Sequence, residues 1–189
     1  MIFRTIVIDI IQALQYYGLY ALIGSFLLML ALFSTMCLLQ RESILKWMRN
    51  RWRYLFGVYL LCAYGLMVIS ITILSRPEGS RIGVNLEPFA TISSQLWGIV
   101  YPIENILLFI PLGLLLPLLW RIFNNLGYTV GVGLLFSALI EIVQYVTKRG
   151  YLQTDDILTN VLGTLIGYII YSSINYNGIL NTKGYNSPH

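Results

Sequence analysis

Five stretches of this chain are apolar, nearly free of charge and close to 20 residues long. They cover residues 18–39, 54–74, 98–120, 127–146 and 157–174, and only Glu104 and Glu141 bring charge into them. A helix rises ~1.5 Å per residue, so about 20 residues cross the roughly 30 Å of hydrocarbon in a bilayer. The sequence therefore predicts an all-α fold, a polytopic membrane helical bundle of about five transmembrane helices.

Composition agrees with a membrane protein and limits the available chemistry. Hydrophobic residues make up 57% of the chain and charged residues 11%, whereas soluble domains carry about a quarter. The net charge of +4 is modest, and no nucleic-acid-binding pattern appears. The only histidine is His189, the final residue, which excludes a Ser-His-Asp triad or a histidine zinc site in the body of the chain. Cys37 and Cys62 lie inside apolar runs and are interpreted as buried thiols.

The first 17 residues are too short and too interrupted by polar residues to cross a membrane alone. We expect an interfacial helix or an extension of the first span. A cleaved signal peptide is disfavoured, because Arg4 is the only positive residue and Asp9 breaks the apolar run. Three regions are predicted: residues 1–79 with this segment and two spans, residues 80–175 with three spans, and a disordered tail, 176–189.

A positively charged segment between the first two spans predicts the orientation. It is interpreted as a loop over residues 41–53, and it holds Arg41, Lys46, Arg49, Arg51 and Arg53. Such loops are retained on the cytoplasmic side. We expect a multi-pass protein of the cell membrane with the amino terminus outside and the carboxyl terminus in the cytoplasm.

Alternation of five spans brings the polar residues to one side of the membrane, whichever orientation holds. These residues are Arg76, Arg81, Asn85, Glu104, Glu141, Asp155, Asp156 and Asn160. Asp155 and Asp156 open the last span, where the helix dipole and free backbone N–H groups favour carboxylates. Asp155 is equally explained as a helix cap. Asn105, Gln144 and Asn160 are equally explained as hydrogen bonds between helices.

Glu141 is the hardest of these residues to explain as structure alone, because a carboxyl group inside a span is costly. We expect it either to pair with Arg149, with Lys148 as a weaker partner, or to carry a proton. The catalytic candidates are Glu141 as general acid or base and Asp155 or Asp156 as an ionised neighbour. The binding candidates are Arg81, Asn85, Asn105, Gln144, Arg149 and Asn160, with Arg81 and Arg149 suited to phosphate or carboxylate. The oxygen-rich set also suits Mg²⁺ or Ca²⁺, but so few acids and amides make a sparse cage, and no cofactor is predicted.

Three ordered motifs resemble those of the VanZ-like membrane proteins. They are RIGVNLEPF at 81–89, ENILLFIPLGLLLP at 104–117 and SALIEIVQYVTKRGYLQTDDILTNVLGTLIGY at 137–168. The matching positions are Arg81, Asn85, Pro88, Phe89, Asn105, Phe109, Pro111, Gly113, Glu141, Gln144, Arg149, Asp155, Asp156, Asn160, Gly163, Gly167 and Tyr168. One position departs from the pattern, since many members carry a further acid where this chain has Gln153.

The resemblance implies a role in teicoplanin resistance and leaves the biochemical activity open. From the residues we expect a protein that recognises or modifies a lipid-linked envelope precursor or a glycopeptide antibiotic at the outer membrane interface. The alternatives are a non-enzymatic accessory or binding protein and a small ion-coupled transporter. Whether the chain is an enzyme does not follow from its sequence. The acids sit toward one side and mark no path across the membrane, which disfavours the transporter.

Overall fold

The computed structural model describes the backbone of residues 2–39, 44–79, 81–91 and 95–184, and side chains at 2–31, 52, 54–79, 83–91 and 95–175. The helices are α1 (Ile2–Ala13), α2 (Leu19–Leu39), α3 (Ile44–Ile69), α4 (Leu96–Leu119), α5 (Leu126–Val146) and α6 (Thr154–Gly184). Two strands, β1 (Arg81–Asn85) and β2 (Arg149–Gln153), lie in the connections. A short 3₁₀ helix, Arg121–Asn124, joins α4 to α5.

Five helices of the described chain are long and apolar enough to cross a membrane, which confirms the predicted fold class. They cover Ile2–Ala31, Tyr54–Leu74, Leu96–Leu119, Leu126–Val146 and Thr154–Asn175. The protein is therefore a multi-pass membrane protein. The amino-terminal segment is an extension of the first span, because α1 continues into α2 through a π-helical turn, Leu14–Gly18. A second π-helical turn, Ser70–Leu74, ends α3.

Two predicted segments have different boundaries in the structure. The Lys/Arg-rich segment predicted as a loop over 41–53 is largely helical, since α3 begins at Ile44. Residues 40–43 lie outside the described part of the chain. The backbone of the predicted tail, 176–189, continues α6 to Gly184, and residues 185–189 lie outside the described part.

Glycines let α4 and α6 pack with their backbones in contact. A Cβ added at Gly163 would overlap the backbone carbonyl of Ile106, and one at Gly167 would overlap that of Ile110. On the facing helix, a Cβ at Gly113 would overlap the backbone of Thr164. Gly163 and Gly167 are four residues apart on α6, a spacing of small residues that lets two helix backbones approach closely. It also fixes the start of α6 against α4.

The two strands form a parallel pair that the sequence analysis missed. The register runs from Arg81 opposite Arg149 to Asn85 opposite Gln153. The connection between the second and third spans is thereby tied to the connection between the fourth and fifth. We call the end of the bundle that carries β1, β2 and the start of α6 the polar end, and the predicted convergence on one side is confirmed there.

Candidate functional site

Asp155 anchors the connection between β1 and α4. Its Oδ1 accepts a hydrogen bond from the backbone N–H of Phe89, and its Oδ2 accepts from the N–H and the hydroxyl of Thr91. Phe89 has a positive φ of 66°, a conformation that is uncommon for a bulky side chain. The Asp155 side chain is 3% exposed. Both carboxylate oxygens are therefore engaged in holding the segment 89–91 rather than in capping α6.

Glu141 and Gln144, one turn apart on α5, also form hydrogen bonds with backbone groups at the polar end. Glu141 is 2% exposed, and its Oε2 accepts from the N–H of Gln153 at 2.9 Å. Gln144 is equally buried and donates from Nε2 to the carbonyl of Thr72 at 2.9 Å. Carbonyls at a helix end have no partner within the helix, so Gln144 satisfies one that the π-helical end of α3 leaves open.

The predicted pairing of Glu141 with Arg149 is wrong. Arg149 instead donates from Nη1 to two carbonyls at the end of the second span, that of Ile73 at 3.3 Å and that of Arg76 at 3.1 Å. The strand register carries its side chain toward α3, whereas Glu141 interacts electrostatically with Asp156 and Arg76. Arg149 thus fixes the backbone of Arg76. The alternative for Glu141, that it carries a proton, stays a prediction.

Asp156 and Asn105 join α6 to α4 at the same end. The amide Nδ2 of Asn105 donates to Oδ1 of Asp156 at 2.9 Å. One turn further along α6, Asn160 is 4% exposed and donates from Nδ2 to the hydroxyl of Ser137 on α5 at 2.9 Å. Asp156 and Asn160 share a face as predicted, and they contact different helices.

A cavity of about 690 Å³ opens beside this cluster. Its polar wall is formed by Arg76, Thr91, Gln95, Glu104, Asn105, Gln153 and Asp156. Its apolar wall is formed by Ile10, Ala13, Leu14, Met67, Leu107, Leu108 and Pro111. Segments of both π-helical turns reach it, through Leu14 and through Ile71 with Thr72. The cavity therefore has a polar part and an apolar part, and it lies between α1, α3, α4 and the start of α6.

The structure separates the predicted site residues into two groups. Asn105 and Asp156 line the cavity, whereas Glu141, Gln144, Arg149, Asp155 and Asn160 surround it without lining it. Asn85 accepts from the N–H of Glu87 at 3.2 Å and shapes the turn that follows β1. The side chain of Arg81 lies outside the described residues. The roles predicted for these residues stay predictions.

Several cavity residues were not among the predicted site residues, although two of them, Arg76 and Glu104, were recognised as lying on this side. Others are Asp9 of α1 and the aromatic pair Trp97 and Tyr101 of α4. Arg76 passes so close to Gly150 that a Cβ there would lie 2.9 Å from its Nη1. In the sequence, Gly150 directly after Arg149 was the available signal that another group approaches the backbone closely at this position. In the structure, the side chain of Arg76 makes this approach.

The described side chains offer no obvious metal site. No group of three or more His, Cys, Asp or Glu residues in the described part of the chain lies close enough together to hold a metal ion.

Comparison with known proteins identifies a family and a curated relative. The family model described as VanZ/LLP1 matches residues 54–175, which includes the second span as well as the three spans that follow. The relative is Protein VanZ of Enterococcus faecium, 29% identical over 125 residues that cover 65% of this chain and 74% of that protein. No solved structure matches the chain.

Proposed function

Since the chain belongs to the VanZ/LLP1 family, we propose that it is a cell-envelope protein that recognises an amphiphilic envelope molecule and thereby contributes to glycopeptide (teicoplanin) resistance. The ligand class is a lipid-linked envelope precursor or a molecule of similar build. The proposed orientation has the amino terminus outside and the carboxyl terminus in the cytoplasm, so that the polar end meets the outer leaflet.

The observation that carries this proposal is the two-part cavity at the polar end. An apolar wall that includes Leu14, Met67 and Leu107 suits an acyl or prenyl chain, because these side chains are as apolar as lipid tails and can pack against such a chain. The polar wall with Arg76 and Asp156 suits a charged head group. Ligand sites are commonly apolar cavities with a few convergent polar groups. A molecule with both parts matches both walls.

The surrounding motif residues support the proposal by positioning this wall. Arg149 holds the carbonyl of Arg76, and Asp155 holds the segment that ends in Thr91. Asn105 fixes the Asp156 carboxylate from the facing helix. A head group would therefore meet side chains whose geometry is already set, which lowers the entropy cost of binding.

The test is teicoplanin susceptibility of cells that produce each variant, normalised to the amount of protein in the membrane. Arg76→Gln and Asp156→Asn remove one charge each, and Asn at 156 can still accept the hydrogen bond from Asn105. Gly150→Ala places a Cβ 2.9 Å from Nη1 of Arg76 and 2.9 Å from Oε1 of Gln144, so it should displace the guanidinium and disturb Gln144 as well. Glu78→Gln is the control, because Glu78 is exposed at the same end and does not line the cavity.

We expect the three cavity variants to lose resistance while Glu78→Gln keeps it. Full resistance in both Arg76→Gln and Asp156→Asn would contradict the proposal. Mass spectrometry of envelope lipids and peptidoglycan precursors, with and without the protein, then separates modification from binding. A covalent change that disappears with Asp156→Asn indicates a reaction, and unchanged molecules indicate recognition alone.

A further inference from the structure

The cavity carries more acidic than basic side chains. Its lining includes Asp9, Glu104 and Asp156 but a single guanidinium, that of Arg76. Glu141 lies behind this wall and interacts electrostatically with Asp156 and Arg76. The guanidinium therefore already faces acidic groups of the protein. A ligand with only negative charge would be repelled by the carboxyl groups that line the cavity. The charge of the cavity therefore favours a ligand that also carries a positively charged group.

Asp9 and Glu104 form a carboxyl pair between α1 and α4. Both line the cavity, and Oε1 of Glu104 is a buried oxygen that has no hydrogen-bond partner among the described residues. An ionised carboxylate only accepts hydrogen bonds, so this oxygen needs a donor. A primary ammonium group supplies three donors and a positive charge. It can satisfy the open oxygen and also face the Asp9 carboxyl group.

Two aromatic rings of α4 line the same cavity as this carboxyl pair. Trp97 and Tyr101 are stacked with their ring centroids 5.3 Å apart and their planes at 23°. Both line the cavity, and Tyr101 lies three residues before Glu104, so the two share a helix face. Aromatic faces attract ammonium groups through their electron density. The acids and the rings thus favour the same kind of charge.

We propose that Asp9 and Glu104 bind a primary ammonium group on the head of the amphiphile. The inference rests on the proposed function, and it narrows the ligand class to amphiphiles that carry an amine. Arg76 and Asn105 then lie where a phosphate or carboxylate of the same head group would be held. Among the described residues no third acid joins Asp9 and Glu104 in a group that could hold a metal ion, and two carboxyl groups make a poor cage for Mg²⁺ or Ca²⁺, which take six or more oxygens.

The experiment measures binding to the purified full-length chain in detergent micelles. The probes are three short-chain phospholipids with the same tails and an ethanolamine, choline or glycerol head group. Choline keeps the charge without N–H donors, and glycerol has neither. O-phosphoethanolamine without tails is the fourth probe, and it distinguishes an amphiphile from a free small amine. We expect the ethanolamine lipid to bind about tenfold more tightly than the other two lipids, and the tailless probe to bind weakly.

The variants assign this preference to the carboxyl pair. Asp9→Asn keeps the size and shape of the side chain, while it removes one acidic group. Glu104→Gln makes the matching change on α4, and Glu78→Gln is the control. Thermal unfolding of each variant in detergent shows whether it is folded. We expect both pair variants to bind all three lipids alike, and the control to keep the tenfold preference.

Each other result overturns the inference in a recognisable way. Equal binding of the three lipids by the unmodified chain would contradict the ammonium site, but it would agree with the proposed function. A preference for ethanolamine that persists in both pair variants shows that the amine binds elsewhere. Tight binding of O-phosphoethanolamine, which has no tails, would show that the ligand is a small amine rather than an amphiphile. No binding of any lipid overturns the proposed function and this inference together.

Discussion

Replacing Asp155 by Asn should loosen the segment 89–91 without unfolding the bundle. An N-cap would tolerate this change, because Asn caps a helix about as well as Asp. The hydrogen bonds of Asp155 predict otherwise. Its two oxygens accept from three donors, the N–H of Phe89 and the N–H and hydroxyl of Thr91. Asn offers one oxygen, and its NH₂ group must face one of the backbone donors.

The cost follows from those hydrogen bonds. A buried donor left unpaired costs about 1–3 kcal/mol, and hydrogen bonds to a charged acceptor are worth more than those to a neutral one. With one N–H of Phe89 or Thr91 unpaired and the others weakened, the segment should lose about 3 kcal/mol of local stability. That loss corresponds to roughly a hundredfold increase in the equilibrium constant for opening.

Amide hydrogen exchange at Phe89 and Thr91 measures this opening, in detergent or nanodiscs, with Asp156→Asn as the matched control. The control should leave exchange at both amides nearly unchanged, because the N–H groups of Phe89 and Thr91 donate to the carboxylate of Asp155. Equal protection of the two amides in Asp155→Asn and in the unmodified chain would refute the reasoning. The carboxylate would then be free for another role, as the sequence alone suggested.

Two further predictions concern packing and orientation. Gly163→Ala should lower the free energy of unfolding by about 1–3 kcal/mol, because its Cβ would overlap the carbonyl of Ile106. Gly131→Ala is the control and should be neutral, because nothing lies within 4 Å of a Cβ there. Thermal unfolding in detergent compares the two variants, and equal midpoints would contradict the close α4–α6 contact. In a cysteine-free background of intact cells, cysteine at Ser43 should be shielded from an impermeant thiol reagent and cysteine at Ser80 should be labelled. The reverse pattern would overturn the proposed orientation.

The spans were predictable because the length of an apolar run is a local property. The number of spans in turn determines which connections share a side, so the convergence of Asp156 with Glu104 followed from counting alone. Close packing of α6 against another helix was also predictable, since Gly163 and Gly167 are one helical turn apart and face the same way, but the sequence did not identify α4 as that helix.

The partners of individual side chains were not predictable, because they depend on the geometry of whole elements. Arg149 reaches Ile73 and Arg76 rather than Glu141 because it lies on a strand whose register is set by pairing with β1. That pairing joins residues 68 positions apart in the chain (149 − 81), and five-residue strands within loops leave a weak pattern. Asp9 was interpreted as an interruption of an apolar run, and only the packing of α1 against α4 brings it to Glu104.

The parallel strand pair has a consequence for the order in which the protein matures. β1 emerges from the ribosome long before β2, with α4 and α5 synthesised between them. Until both helices have entered the bilayer, the strand Arg81–Asn85 has no partner and the segment 89–91 lacks the carboxylate of Asp155. A chain interrupted after Val146 would hold four inserted helices and an unfinished cavity wall. Ligand binding should therefore appear only once α6 has been inserted, which makes the site a late product of biogenesis.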